Sequence, residues 1–507
     1  MPARAEDGSG IWRSLLRGQT SRLAIKRVLK IGAPFLIAAA FAVTPVPDGL
    51  APHAWYYLAI FMGVVLGLIL ESLPPSAIGL VGVTVVAALA PWTLFTPAEQ
   101  AQPGFSAPRQ AIDWALSGFG NSTVWLAFSA FMFGTAYDRT GLGRRIALSL
   151  VRIMGARTLL LGYAVMLSDV IMAPFTPSNT ARSAGMIYPI IRNLPPLYGS
   201  QPNGPSARRI GGYVLWTGFA TSCVTSSLFL TALAPNLLAV DLIRRIGNIE
   251  ITWLAWFLAC APAGIALLLA LPLLVYWLYP PTLKRSTRAP AWARRELRKM
   301  GPLTRQEGSA AGLALVAVLL WIFGDQYLNA TTVALAVVSV MLLAGVLRWD
   351  DVVANREAWK ALMLLSTLVT LSDGLTRTRL VAWFAETAAG AMTGLSPTQT
   401  IVGFVGTYFF SHYFFASLTA HAAAMLPILL SLGLNMPGVS FDKLALLLGL
   451  TQGIMGILTP YATGPAPVYA NSGYITSVEY WRLGTIFGFI FLGALLLLSG
   501  PLVLWAG

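Results

Sequence analysis

Apolar residues in this chain neither alternate at a strand period nor gather on one face of a helix; they run in long blocks. Thirteen blocks fall at about residues 30–46, 54–72, 76–94, 111–136, 159–191, 211–240, 252–280, 308–325, 329–348, 359–376, 398–432, 441–473 and 482–505. Most approach the ~20 residues that a helix needs to cross a hydrocarbon core. Four blocks are interrupted by Pro, Gly, Ser and Thr, near 174–181, 221–236, 410–421 and 456–467. Broken backbone at membrane depth carries unpaired N–H and C=O groups, so it is tolerated only inside protein or along a polar cavity. The pattern predicts an all-α polytopic membrane protein whose working parts lie at the four breaks.

The breaks are related to one another. Ser178-Asn179-Thr180-Ala181-Arg182 stands 239 residues before Ser417-Leu418-Thr419-Ala420-His421, and the same spacing carries Met186 to Met425, each followed by a proline (Pro189, Pro427). Ser227, Thr231 and Ala234-Pro235 match Thr459, Thr463 and Ala466-Pro467 at a spacing of 232, and Trp125–Arg145 loosely resembles Trp359–Arg379. Ordered matches in both halves predict a duplication. The expected organisation is a basic N-terminal segment (1–29), a first repeat (30–280), a basic linker (281–307) and a second repeat (308–507). With the N-terminus and linker on one side, the number of spans brings the second hairpin in from the side opposite the first. Inverted repeats with discontinuous helices belong to secondary transporters that hold substrate near the midplane.

Composition and charge narrow the class. Of the 507 residues, 56% are hydrophobic and only 11% charged, against about 25% charged in soluble domains. The net charge of +14 would suggest a nucleic-acid partner on a soluble protein. Here 23 of the 34 Lys and Arg lie in four segments bordering apolar blocks (1–30, 138–157, 192–209 and 281–305). That is the positive-inside pattern, so no nucleic-acid partner is expected, the lipid bilayer is, and the N-terminus and linker are assigned to the cytoplasmic side of an inner membrane. Arg244 and Arg245 fit poorly, because the same topology puts them outside. The first apolar block resembles a signal peptide, but further spans follow it, and a retained first helix is expected. Cys223 and Cys260 read as packing residues. With two cysteines and three histidines there is no zinc motif, and neither metal nor cofactor is expected.

The breaks suggest the chemistry. Ser178, Asn179, Thr180, Ser417 and Thr419 fall at hairpin tips, and Thr231 and Thr463 lie in unwound stretches. Half-helix N-termini leave N–H groups unpaired and carry partial positive charge, which suits a carboxylate without a basic side chain. The plainer alternative is that these residues satisfy helix ends between packed helices.

Ser178-Asn179-Thr180-Ala181 with Met186-Ile187-Tyr188-Pro189-Ile190 resembles the hairpin motif of the divalent anion/sodium symporter family. Phe414–His421 and Tyr461–Tyr469 resemble the branch of that family containing bacterial citrate/succinate and tartrate/succinate antiporters and plastid oxoglutarate/malate translocators. The resemblance runs from about residue 30 to the C-terminus. It implies about 11 transmembrane helices plus two re-entrant hairpins, a dimerising scaffold domain and an elevator-like transport domain. It also implies a small di- or tricarboxylate substrate contacted by Ser178, Asn179, Thr180, Ser417, Thr419 and Thr463, with Ser226, Ser227 and Thr231 as near neighbours.

The departures from the family pattern point to exchange. In sodium-coupled members the asparagine of each triplet helps to hold sodium; Asn179 is present, but Leu418 replaces its partner, and Pro174 and Tyr413 stand where hydroxyl residues are expected. Two residues beyond Thr180 and Thr419 come Arg182 and His421. Ionisable groups at membrane depth imply function by default, and these two are read as fixed cations that replace the sodium charge, making return of an empty site slow. The alternatives are that Arg182 reaches the cytoplasmic surface and His421 is a packing residue. Asp169 and Asp373 are candidate partners for either cation. Three rivals remain: a sodium-coupled symporter; a channel, which would need rings of groups along a pore; and a membrane hydrolase using Ser411 with His412 or His421. The hydrolase lacks a Gly-x-Ser-x-Gly elbow, and no catalytic residue is assigned.

Overall fold

A computed structural model describes residues 22–505 except 286, 325, 381, 384–386, 388–395, 435 and 437; most of the expected N-terminal basic segment lies outside the described residues. The described chain is mostly helical, with one isolated antiparallel bridge between Arg157 and Arg285 and no strand. Its principal helices are α1 (Arg22–Val43), α2 (Pro52–Leu70), α3 (Pro75–Ala88), α4 (Ser122–Thr140), α5 (Leu142–Met154), α6 (Thr158–Met172), α7 (Thr180–Ile187), α8 (Gly211–Leu228), α9 (Ala234–Gly247) and α10 (Trp253–Leu278). They continue as α11 (Arg288–Met300), α12 (Arg305–Phe323), α13 (Ala330–Leu343), α14 (Arg356–Arg377), α15 (Pro397–Ser411), α16 (Leu418–Leu434), α17 (Phe441–Ile454) and α18 (Ser477–Ala494). Where they start is written in the sequence: Thr304 with Glu307, Ser396 with Gln399 and Thr476 with Glu479 each form reciprocal capping pairs.

By length and composition, five described spans can cross a membrane: Pro52–Leu70, Thr158–Phe175, Trp253–Leu278, Arg305–Phe323 and Ser477–Leu504. Helices that the core encloses need not meet that standard. In α8 every residue is buried, including five Ser and Thr from Thr221 to Ser227, and α14 carries charges at both ends. All four expected breaks are present. They separate α6 from α7, α8 from α9, α15 from α16, and α17 from a short helix at Ala466–Ala470.

Ion pairs gather each end of the molecule. At one end α11, in the basic linker, packs along α5, with Arg144 on Glu296 at 2.8 Å, and Arg145 reaches Glu307 at 2.7 Å and the Gly301 carbonyl at 3.0 Å. Arg139, in the last turn of α4, pairs with Asp351 at 2.5 Å just before α14 begins. We call this the linker face. At the opposite end Asp241 of α9, itself buried, accepts from Asn121 (2.6 Å), Arg244 (2.9 Å) and Arg245 (2.7 Å). Arg245 continues to Asp373 of α14 at 3.1 Å, and the Trp114 indole donates to the other oxygen of that carboxylate. Arg244 and Arg245, awkward for the charge rule, are thus neutralised by two carboxylates at a helix C-terminus, where cations are favoured. Asp373 is their partner and pairs with neither Arg182 nor His421.

Candidate functional site

The two hairpins reach their tips by the same local route. α6 runs into a tight turn at Ala173–Phe175, Thr176 is extended, and α7 leaves after Ser178-Asn179. α15 runs into the turn His412–Phe414, Phe415 is extended, and α16 leaves after Ser417. Ser178 Oγ accepts from the Ala181 N–H (3.2 Å) and Ser417 Oγ from the Ala420 N–H (3.4 Å). Each serine therefore caps the returning helix. A hydroxyl that accepts still has a hydrogen to give, and neither serine has an acceptor for it among the described residues.

Both tips face one cavity of about 470 Å³, lined by Ser178, Asn179, Thr180, Ser417, Leu418, Thr419, Thr463 and Gly464, within the usual range of small-ligand sites. The side-chain hydroxyls of Thr180 and Thr419 make no hydrogen bond among the described residues. Asn179 Nδ2 donates to Thr463 Oγ1 at 2.7 Å, joining the first tip to the second unwound stretch and leaving the Thr463 hydrogen available. Gly464 lies so close to this tip that a Cβ there would overlap Thr180 Oγ1. Six of the expected site residues are brought together: Ser178, Asn179, Thr180, Ser417, Thr419 and Thr463.

Ser226, Ser227 and Thr231, expected as near neighbours of the substrate, do not line the cavity. Thr231 donates to the Pro174 carbonyl (2.5 Å) and accepts from the Trp253 indole (3.1 Å). Ser227 Oγ accepts from the Gly453 and Ile454 N–H groups, holding α8 against α17. Ser226 lies beside Arg182 (2.9 Å) and donates to the Ser222 carbonyl. Leu233, Ala234 and Pro235 are what the first unwound stretch presents to the cavity.

Arg182 is also turned away from the cavity and is fully buried. Its Nε pairs with Asp169 at 3.2 Å, Nη1 donates to the carbonyls of Thr176 (2.9 Å) and Ala232 (3.0 Å), and Nη2 reaches Ser226 and Thr225. Thr225 donates in turn to the other Asp169 oxygen. The guanidinium thus ties the first hairpin tip to the break between α8 and α9, and its charge is met by Asp169. It does not reach the cytoplasmic surface. The backbone around it, Thr180–Ile187, is wound as a wider π-helix, a rare form that gathers at functional sites.

His421 is buried too, but its surroundings are neutral. Its ring stacks on Tyr408 at 4.5 Å, and Nε2 lies 2.8 Å from Ser411 Oγ. Ser411 gives its hydrogen to the Tyr408 carbonyl (2.9 Å), so it accepts from His421, and the Nδ1 of the ring has no partner. This serine–histidine pair meets the distance of a nucleophile and its base. Nothing orients Nδ1, however, and neither residue lines the cavity. Sequence reasoning passed over the charged groups of the cavity wall: Glu71, Glu357 and Lys360. A cluster of charges opening the otherwise apolar span 359–376 was the available signal.

A family model described as the sodium:sulfate symporter transmembrane region matches residues 25–506. The chain belongs to the divalent anion/sodium symporter family. Within reach of that family, L-tartrate/succinate antiporters of Escherichia coli (strain K12) and Shigella flexneri are each 50% identical over 473 residues, covering 93% of this chain and 96% of theirs. The fold is shared with two solved structures. The Alcanivorax borkumensis YdaH transporter has a TM-score of 0.56 at 16% identity, over 84% of this chain and 98% of that one. Neisseria gonorrhoeae MtrF has a TM-score of 0.55 at 13% identity, over 86% and 96%.

Proposed function

We propose that this family member is a secondary transporter that exchanges one small dicarboxylate for another without sodium, with tartrate- and succinate-like C4 dianions as its substrates and larger tricarboxylates such as citrate to be tested beside them. The observation that carries the reading is the pair of capped tips across one cavity. Ser178 and Ser417 each have a hydrogen to donate, with Thr180, Thr419, Thr463 and the helix N-termini around them. Two such ends suit a molecule with two carboxylates, and relatives named tartrate/succinate antiporters at 50% identity point to the same class.

The absence of sodium coupling follows from what Arg182 touches. Carbonyl and hydroxyl oxygens are the ligands a hard cation needs in number, and those of Thr176, Ala232, Thr225 and Ser226 at the first tip already serve the guanidinium. At the second tip Leu418 offers no side-chain oxygen. A positive charge is built into the first hairpin and matched by Asp169, so a separate cation need not travel with the substrate.

Two of the three charged groups of the cavity wall, Glu357 and Lys360, lie in the opening turns of α14, on the linker face, while the Asp241–Arg245–Asp373 cluster closes the far end of α9. This arrangement supports one-sided access, open to the cytoplasm of an inner membrane if the basic linker is cytoplasmic. In this reading the hairpins with α8, α9 and α17 form the moving part of an elevator, and α1–α4 with α12–α14 form the scaffold, which pairs in a homodimer. The test is exchange in proteoliposomes with choline in place of sodium. Uptake of labelled succinate should require internal dicarboxylate and be indifferent to sodium. Uptake that needs sodium and proceeds into empty vesicles would replace this reading with symport, and unsaturable flux would replace it with a channel.

A further inference from the structure

We infer that Lys360 is a capture residue that draws the dianion into the cavity from the linker face, and that Glu357 is its resident competitor. This rests on the exchange reading above. The hairpin tips offer hydroxyls and backbone N–H groups, which act over hydrogen-bond distance and carry no formal charge. Among the described residues that line the cavity, Lys360 is the one cation; the other charged groups are Glu71 and Glu357. A dianion outside the mouth therefore meets attraction from one side chain and repulsion from two. Net charge and its placement set encounter rates within about a Debye length of the surface, roughly 8 Å at physiological ionic strength.

The geometry suits transient capture. Lys360 Nζ lies 2.8 Å from Glu357 Oε1, one helical turn away, and the two side chains are 60% and 68% exposed. Exposed pairs of this kind are weak and exchangeable, so an arriving carboxylate can take the ammonium from Glu357. The base of the arm is fixed. Asn355 caps α14 by accepting from the Ala358 N–H at 2.9 Å and donates to Thr135 of α4 at 2.7 Å. A compact charge on a flexible stem above a fixed helix end can follow the substrate partway in and let it go. Lys360 belongs to α14 and has no hydrogen bond or ion pair to either hairpin among the described residues. When the tips turn to the opposite side, it stays behind. Its effect should therefore be felt by substrate on one side of the membrane only.

The experiment is labelled succinate exchange in proteoliposomes, with the KM measured separately for substrate on each side. Orientation is scored by impermeant maleimide labelling of Arg295→Cys on the exposed face of α11; the two native cysteines are buried. Lys360→Gln should raise the linker-side KM by about three- to tenfold, the range expected of one exposed charge, with the saturated rate within about twofold of the parent. The far-side KM should not move, and the salt dependence of the linker-side KM should flatten. Glu357→Gln should lower the linker-side KM, and Lys360→Arg should preserve it. An unchanged linker-side KM in Lys360→Gln, or an equal rise on both sides, would overturn the inference. Failure of the exchange reading is distinct from this, because the unaltered protein would then show no trans-stimulated uptake.

Discussion

The two hairpins present matching tips to the cavity, yet what stands behind each tip differs in kind. Behind the first, a fully buried guanidinium holds one carboxylate, three backbone carbonyls and two hydroxyls. Behind the second, at the equivalent position, an imidazole stacks on Tyr408 and makes one neutral hydrogen bond to Ser411. A cation in the interior must be matched and fully hydrogen-bonded or it costs more than it contributes, and matching it recruits α6, α8 and the unwound stretch into one rigid joint. A neutral ring makes no such demand. The first tip is therefore welded to its neighbours through a charge, and the second is held by aromatic packing and uncharged hydrogen bonds, among them His412 Nε2 to the Ala462 carbonyl (2.8 Å) and the Tyr461 hydroxyl to the Tyr413 carbonyl (3.0 Å). The two tips match in form while their supports differ in kind.

Breaking the weld should have the largest effect. Arg182→Ala leaves Asp169 buried without its cation and orphans the Thr176 and Ala232 carbonyls, which should cost about 3–5 kcal/mol and show as a large fall in thermal stability in detergent. Replacing both members, Arg182→Met with Asp169→Leu, should recover part of that stability; a double variant no better than the single would remove the ion pair from the account. Next in size is the contact between the first tip and the second unwound stretch. Gly464→Ala drives a methyl group into Thr180 Oγ1, an overpacking cost of about 1–3 kcal/mol. Thr180→Ala in the same chain should relieve it, read as a positive coupling in a double-mutant cycle.

How far the sequence could lead is visible in the same residues. Ser178, Ser417 and the four breaks are legible because Pro, Gly and hydroxyl residues are conspicuous in apolar blocks, and spacings of 239 and 232 residues pair the broken segments. Arg182 is legible as a buried charge, but its direction is not. That depends on Asp169 thirteen residues upstream and on hydroxyls more than forty residues downstream. Thr231 and Thr463 occupy equivalent positions with unequal roles, because Pro174 and Trp253 take up the Thr231 hydroxyl and nothing on the page of the sequence links the three. Lys360 comes to the cavity from a helix roughly 180 residues after the first tip, a juxtaposition made by folding alone.

Smaller changes sharpen the comparison at the tips themselves. Asn179→Ala removes the hydrogen bond to Thr463 that joins the first tip to the second unwound stretch, worth about 1 kcal/mol, and should weaken succinate affinity more than stability. Leu418→Asn restores to the second tip the amide that the first already has. Exchange should remain indifferent to sodium, because the oxygens at the first tip still serve Arg182. Sodium-stimulated uptake in Leu418→Asn would mean that the second tip alone had decided the coupling.

The smallest effect is expected at His421. If its role is to fill space beside Tyr408 and Phe415, then His421→Phe keeps the stacking, frees Ser411 from one acceptor role and relieves a buried Nδ1 without a partner. The cost should be below about 1 kcal/mol, because removing a polar group that lacks one of its bonds is close to neutral. Sodium-free exchange should persist at a comparable KM. The opposite outcome is just as informative. A large loss of exchange in His421→Phe with stability intact would show that the imidazole acts on the substrate after the hairpin has moved. The two tips would then be alike in using a cationic residue behind a serine, and the contrast drawn between them would hold for one conformation alone.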